Sequence, residues 1–127
     1  MKKIILFSLL ICSFSAILIF ILNSCKKSSD STIDYATYVA GTYQGFVQPG
    51  QLNSTVILSR QSNSKVNIEF YTAGSDTSHY INASVSDGGS GKLIISLTTA
   101  NTKINGNLNV TTLDCMFNQL HFVGTLR

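Results

Sequence analysis

From Tyr38 onward, apolar residues fall on every second position in runs of about six, a period that puts one face of a β-strand in a core and the other in water. Val66, Ile68 and Phe70 alternate with Lys65, Asn67, Glu69 and Tyr71. Ile81, Ala83 and Val85 repeat the pattern, as do Leu93, Ile95 and Leu97, then Leu108 and Val110, then Leu120, Phe122, Gly124 and Leu126. Val56 and Leu58 complete the set. Turn residues separate the runs at Pro49-Gly50, residues 61–64, 73–78 and 87–91, and at Asn105-Gly106, a strong two-residue hairpin signal. Short strands joined by short turns predict antiparallel neighbours. Seven or eight of them in roughly 90 residues must close into a small barrel or pack as a sandwich. The expected fold is therefore all-β, a small antiparallel up-and-down β-barrel, with a β-sandwich as the alternative. Helical periodicity is absent after the leader, although residues 33–40 suffice for one helical turn.

The chain opens differently. Lys2 and Lys3 precede residues 4–22, which are apolar apart from Ser8, Cys12, Ser13 and Ser15. A basic start followed by an apolar run is an export segment rather than part of the fold. About 18 or more apolar residues also span a bilayer, so length alone leaves an uncleaved anchor open. The flank separates the two readings. Leu22-Asn23-Ser24-Cys25 ends the run with an apolar residue three before the cysteine and a small residue just before it.

This tetrapeptide resembles the lipobox of bacterial lipoproteins, with Asn23 its least usual position. The resemblance implies cleavage by signal peptidase II before Cys25, a diacylglyceryl thioether on its sulfur and an acylated amine. Several chains on one cysteine make membrane attachment stable where a single chain does not. Under either reading Lys2 and Lys3 stay inside and the rest faces away from the cytoplasm. The expected organisation is a lipoprotein signal peptide over residues 1–24, a lipidated flexible tether over 25–34 and one β-domain over 35–127. The expected place is the cell envelope, anchored to the outer membrane and facing either the periplasm or the surface.

The formal charge of +3 belongs to the leader and to Lys26 and Lys27. From Ile33 onward, five basic residues face five acidic ones, and a neutral domain without clustered Lys or Arg offers nucleic acid no electrostatic footprint. Lys26 and Lys27 lie in a polar spacer, where they can rest on anionic headgroups. Of the three cysteines, Cys12 leaves with the leader and Cys25 is consumed by lipid, which strands Cys115 without a disulfide partner. Its neighbours Leu113, Met116 and Phe117 suggest a buried structural thiol.

Residues 39–46, Val-Ala-Gly-Thr-Tyr-Gln-Gly-Phe, and residues 122–127, Phe-Val-Gly-Thr-Leu-Arg, resemble the two ends of calycin-like barrels. These include the lipocalin-like domains of small lipoproteins common in the Bacteroidota. That likeness implies that Gly41-x-Tyr43 on the first strand packs against Arg127 from the last, closing the barrel. Tyr43 stands where lipocalins carry tryptophan, the Thr-Asp-Tyr signature is missing, and the domain is far shorter. An interior of this size holds either its own side chains or one small ligand. Phe46, Phe70, Phe117 and Phe122 are available as filler and favour the former.

Catalytic chemistry is hard to assemble. His79 and His121 fall on different strands, and a metal site needs three or four converging ligands. Asp76-Thr77-Ser78-His79 contains triad residue types, but consecutive residues do not supply triad geometry. Glu69 points outward, while Asp87 and Asp114 read as turn residues, so no acid–base pair is indicated. No catalytic residue, cofactor or metal is therefore assigned. Ser31, in Asp30-Ser31-Thr32, resembles the O-glycosylation pattern of exported Bacteroidota proteins. Tyr71 and Tyr80 flank a turn and are the candidate contact surface, since tyrosine offers a flat apolar face with a polar tip.

The expected function is a non-catalytic envelope lipoprotein, a binding or accessory module for a small apolar ligand, a glycan or an envelope protein. A structural lipoprotein with a filled core and a lipidated hydrolase inhibitor are the alternatives. For those two, the expected signature is a filled core with a partner docked edge-on.

Overall fold

The computed structural model describes residues 32–50 and 52–127. Leu22, Asn23, Ser24, Cys25 and Ser31 lie outside the described residues. Eight strands follow one short helix: α1 (Tyr35–Val39), β1 (Gly41–Gln48), β2 (Leu52–Ser62), β3 (Lys65–Thr72), β4 (Ser78–Gly89), β5 (Lys92–Thr98), β6 (Lys103–Asn109), β7 (Thr112–Phe117) and β8 (Leu120–Leu126). Each strand pairs antiparallel with the next, and β8 returns to β1 in register from Tyr43↔Leu126 to Gln48↔His121. The sheet is thus a closed up-and-down barrel and not a sandwich. Among the described residues, no helix is long and apolar enough to cross a membrane.

Closure removes every free strand edge, so the edge-on docking expected of a filled barrel has no strand to use. It also gives the alternating residues one common interior. Tyr43, Val56, Ile68, Ile95, Leu113 and Phe122 meet there, each at most 1% exposed. Small residues sit between the large ones. Gly45 lies opposite Gly124 across the β1–β8 seam, and a Cβ at Gly45 would run into the Val123 carbonyl and the Gly124 Cα. The bare seam leaves room for the Phe122 ring, which covers Gly124.

Both ends of the barrel are shut, by different means. At one end Ala36 and Val39 of α1 are fully buried. The Asp34 carboxylate caps the helix by accepting from the Thr37 N–H at 3.1 Å, and it also meets the Arg60 guanidinium at 2.8 Å. Arg60 in turn donates to Asn63 Oδ1 at 2.7 Å, and the Ala36 N–H donates to the Asn63 carbonyl at 3.1 Å. Asn63 Nδ2 donates to Thr32 Oγ1 at 3.3 Å. Residues 32–34, expected in the tether, accordingly belong to the domain, because the β2–β3 turn holds them.

The opposite end is plugged by aromatic rings. Phe70 stacks on Phe117 with centroids 4.5 Å apart, Tyr80 stacks on Phe117 at 5.9 Å, and Phe122 meets Phe70 edge-on at 6.2 Å. Offset and edge-on pairs of this kind add to the area they bury.

Five expectations from the sequence fail. Phe46 lies on the outer face, 53% exposed, because β1 turns Tyr43 and Val47 inward. Ile81 is outward, 66% exposed, since β4 carries an extra residue between the pairs Ile68↔Tyr80 and Val66↔Ala83. Asn82 takes the bulge conformation at φ 64°. Asn105-Gly106 is not a turn but lies inside β6, where Gly106 faces Cys115 and a Cβ would stand 2.7 Å from its Sγ. The turn falls later, at Val110-Thr111, and leaves Val110 83% exposed at φ 56°. Asp114, expected in a turn, lies within β7.

Candidate functional site

The interior offers little to a ligand, for its side chains are 0–4% exposed and both ends are closed. Among the described residues Ser54 is the buried polar side chain, and its hydroxyl donates to the Leu52 carbonyl at 3.0 Å. Binding chemistry is found instead on the outer wall.

Strands β1, β2 and β3 place outward residues in adjoining rows through the pairs Gln44↔Thr55 and Thr55↔Tyr71. Phe46, opposite Asn53, stands one row further along. With Arg127 they line a shallow cleft that combines two aromatic faces with amide, hydroxyl and guanidinium groups. The Tyr71 hydroxyl donates to Glu69 Oε2 at 2.8 Å. That bond, aided by slight desolvation and the carboxylate's charge, raises the phenol above its ordinary value and keeps it a neutral donor.

The helix end carries a second cleft, lined by Tyr35, Tyr38, Lys92, Leu93, Leu108 and Val110. Tyr38 is 69% exposed there, beside Val110. Here the Asp87 carboxylate accepts from the Gly89 N–H at 2.7 Å and shapes the β4–β5 turn.

On the outer wall of β7 and β8, His121 Nε2 lies 2.7 Å from Asp114 Oδ1. His79 approaches Glu69 more loosely, at 3.9 Å. Among the described residues, no three His, Cys, Asp or Glu side chains converge as metal ligands. Cys115 is a buried free thiol, and burial together with Asp114 pushes its pKa up to about 12, which suppresses the nucleophilic thiolate.

No family model, curated protein or solved structure matches this chain. A closed β-barrel serves many activities, so the fold by itself assigns none of them.

The structure brings together some of the sequence-derived candidates and separates others. Gly41 and Tyr43 lie on β1 beside β8, where a Cβ on Gly41 would strike the Leu126 side chain. The Tyr43 hydroxyl donates to the Val39 carbonyl at 2.7 Å, so the ring closes the barrel against α1. Burial pushes that phenol up to about 12. Arg127 does not pack on Tyr43 from inside. Its N–H donates to the Thr42 carbonyl at 3.0 Å and it lines the outer cleft, because Arg127 follows the inward-paired Leu126. Tyr71 and Tyr80 are likewise separated, Tyr71 outside and Tyr80 stacked within the aromatic plug, because the β4 bulge reverses the facing. Phe46 and Gln44 were missed, although their outward positions follow once Tyr43 and Val47 are placed inside.

Proposed function

We propose that this protein is a non-catalytic lipoprotein of the cell envelope, held to the outer membrane through Cys25, and that its barrel works as an accessory binding module through its outer wall. The observation that carries the reading is the filled interior, which moves recognition to the cleft around Phe46 and Tyr71. Flat aromatic faces beside Gln44, Asn53 and Arg127 suit a glycan, whose ring C–H faces stack on aromatics while its hydroxyls meet amide and guanidinium groups. The Leu22-Asn23-Ser24-Cys25 sequence supports the anchor.

Two measurements test this reading. Intact mass of protein extracted from membranes is expected to show acylated Cys25, and Cys25→Ala is expected to release a folded domain. Titration of envelope glycans into the wild type and the Phe46→Ala and Tyr71→Ala variants is expected to show binding that both substitutions weaken. Glycan binding untouched by both substitutions sinks the assignment of the cleft, as does native protein that carries lipid and binds no glycan.

A further inference from the structure

We infer that the helix-capped end of the barrel is a membrane-docking face, which Tyr38 and Val110 press into the headgroup region of the bilayer that holds Cys25. The inference rests on the lipid-anchor reading and goes beyond it by assigning an orientation and the residues that set it.

Three observations converge on this end. First, it is where the domain begins. Thr32 is fixed to Asn63 beside α1, and residues 26–31 alone separate it from Cys25. Fully extended, that stretch reaches at most about 25 Å at roughly 3.3–3.6 Å per residue. The capped end is therefore the end that an anchored Cys25 keeps nearest to the lipid.

Second, the two most exposed large apolar side chains of the described residues, Val110 and Tyr38, line the same cleft here. Ile33, 57% exposed, stands on the other side of Tyr35. Tyrosine is favoured at membrane interfaces because its ring enters the apolar side while its hydroxyl stays wet. Val110 adds an independent sign. It holds the left-handed conformation at φ 56°, which a β-branched residue adopts only at a cost, whereas the corresponding position of the β7–β8 turn is Asn118 at φ 55°. An apolar side chain kept at a strained, fully projecting turn tip points to a use for that side chain.

Third, the charges at this end fit anionic headgroups. Lys65 and Lys92 stand at the β2–β3 and β4–β5 turns of this end, with Asp87 as the acidic residue there, while Arg60 and Asp34 neutralise each other. Asp87 lines the same cleft as Lys92 and keeps its carboxylate on the Gly89 N–H. Lys92 lines the cleft itself, where its stem can lie along the apolar patch with the amine among phosphates. The turns of the plugged end hold only Asp76 and the neighbouring Lys103.

The chain has no tryptophan, so one introduced indole reports its own depth. The full-length lipidated protein is reconstituted into phosphatidylethanolamine–phosphatidylglycerol vesicles with brominated acyl chains, as Tyr38→Trp, Val110→Trp or Gln119→Trp. Gln119 occupies the β7–β8 turn at the plugged end. The expected result is a blue shift and loss of emission for Tyr38→Trp and Val110→Trp, with Gln119→Trp unaffected. Tyr38→Trp replaces an exposed ring by a ring, so it carries the test if the strained turn rejects tryptophan at 110. Co-flotation without quenching of Tyr38→Trp overturns the docking face and leaves the anchor standing. Equal quenching of the Tyr38→Trp and Gln119→Trp variants overturns the orientation. A blue shift without vesicles, accompanied by dimerisation, assigns the patch to a second copy and overturns the inference. Unacylated Cys25 in protein that does not float removes the anchor reading and this inference with it.

Discussion

The two ends of the barrel solve one problem with different materials. At the plugged end, Phe70, Tyr80, Phe117 and Phe122 come from four strands and stack inside the sheet that carries them. At the capped end, a single turn of helix from just outside the sheet lays Ala36 and Val39 over the opening, held by Asp34, Arg60, Asn63 and the Tyr43 hydroxyl. The plug cannot leave without opening the sheet. The cap can lift while all eight strands stay paired, which places it among the low-stability regions from which binding surfaces are drawn.

The sharpest way to break this comparison is to empty the plug. Phe117→Ala removes the ring that stacks on both Phe70 and Tyr80 and is expected to cost about 3–5 kcal/mol, read as a lower midpoint in urea. The same experiment on the cap variants below is expected to give clearly smaller losses. Comparable losses at both ends would erase the distinction.

Tyr43 ties the cap to the barrel interior, since its ring lies in the core and its hydroxyl holds the cap. Its folded pKa is raised by burial to about 12 from an ordinary value of 10.0. Stability from the neutral phenol is therefore complete below about pH 10 and is lost as pH rises through the folded value, a loss on the order of 2–3 kcal/mol. Cys115 is raised to about 12 as well, by burial and then by Asp114, so the measurement is best made in a Cys115→Ala background. There, Tyr43→Phe is expected to flatten the alkaline limb of the stability profile. An unchanged limb would mean that another group controls it.

The plug and the cap were not equally legible in the sequence. Period-two alternation exposes inward positions such as Val66, Ile68 and Phe70, because facing is a local property of a strand. It fails where one extra residue resets the facing, as at Asn82, and nothing local marks that bulge. Asn105-Gly106 misleads for another reason. Gly106 is required by the Cys115 side chain on the next strand, a contact between residues that the sequence keeps apart. The outer cleft was legible only in part, since Tyr71 meets Gln44 through two strand registers. The cap left a signal in Asp34, an N-cap residue three before Thr37, that describes a helix start without saying what the helix covers.

Asp34 provides a gentler test of the cap. Slight desolvation, which alone would raise its carboxyl, is outweighed by the Arg60 hydrogen bond, the Thr37 bonds and the Arg60 charge, so its pKa lies below the ordinary 3.8. A depressed carboxyl contributes stability above its unfolded pKa and loses it as pH falls through the folded value. Acid below the ordinary carboxyl value of 3.8 is thus expected to loosen α1 before the barrel. Amide exchange at Thr37 should rise while strands β6 and β7 stay protected. Asp34→Asn retains the cap but loses the ion pair and is expected to remove this acid dependence, with a smaller stability loss than Tyr43→Phe.

The smallest effect has the opposite sign. Val110→Asn places at φ 56° a residue that tolerates the left-handed region, as Asn118 does in the β7–β8 turn. It is expected to stabilise the domain by about 0.5–1 kcal/mol in urea, less than the whole αL penalty because asparagine also bears part of it. The same substitution removes the most exposed apolar side chain of the capped end, so the lipidated protein should sit less deeply on vesicles while folding better. Gain in stability together with loss of lipid contact would mean that this turn is tuned for the surface it meets rather than for the fold. A loss of stability would instead place Val110 among the residues that hold the cap, and the two ends would differ less than their construction suggests.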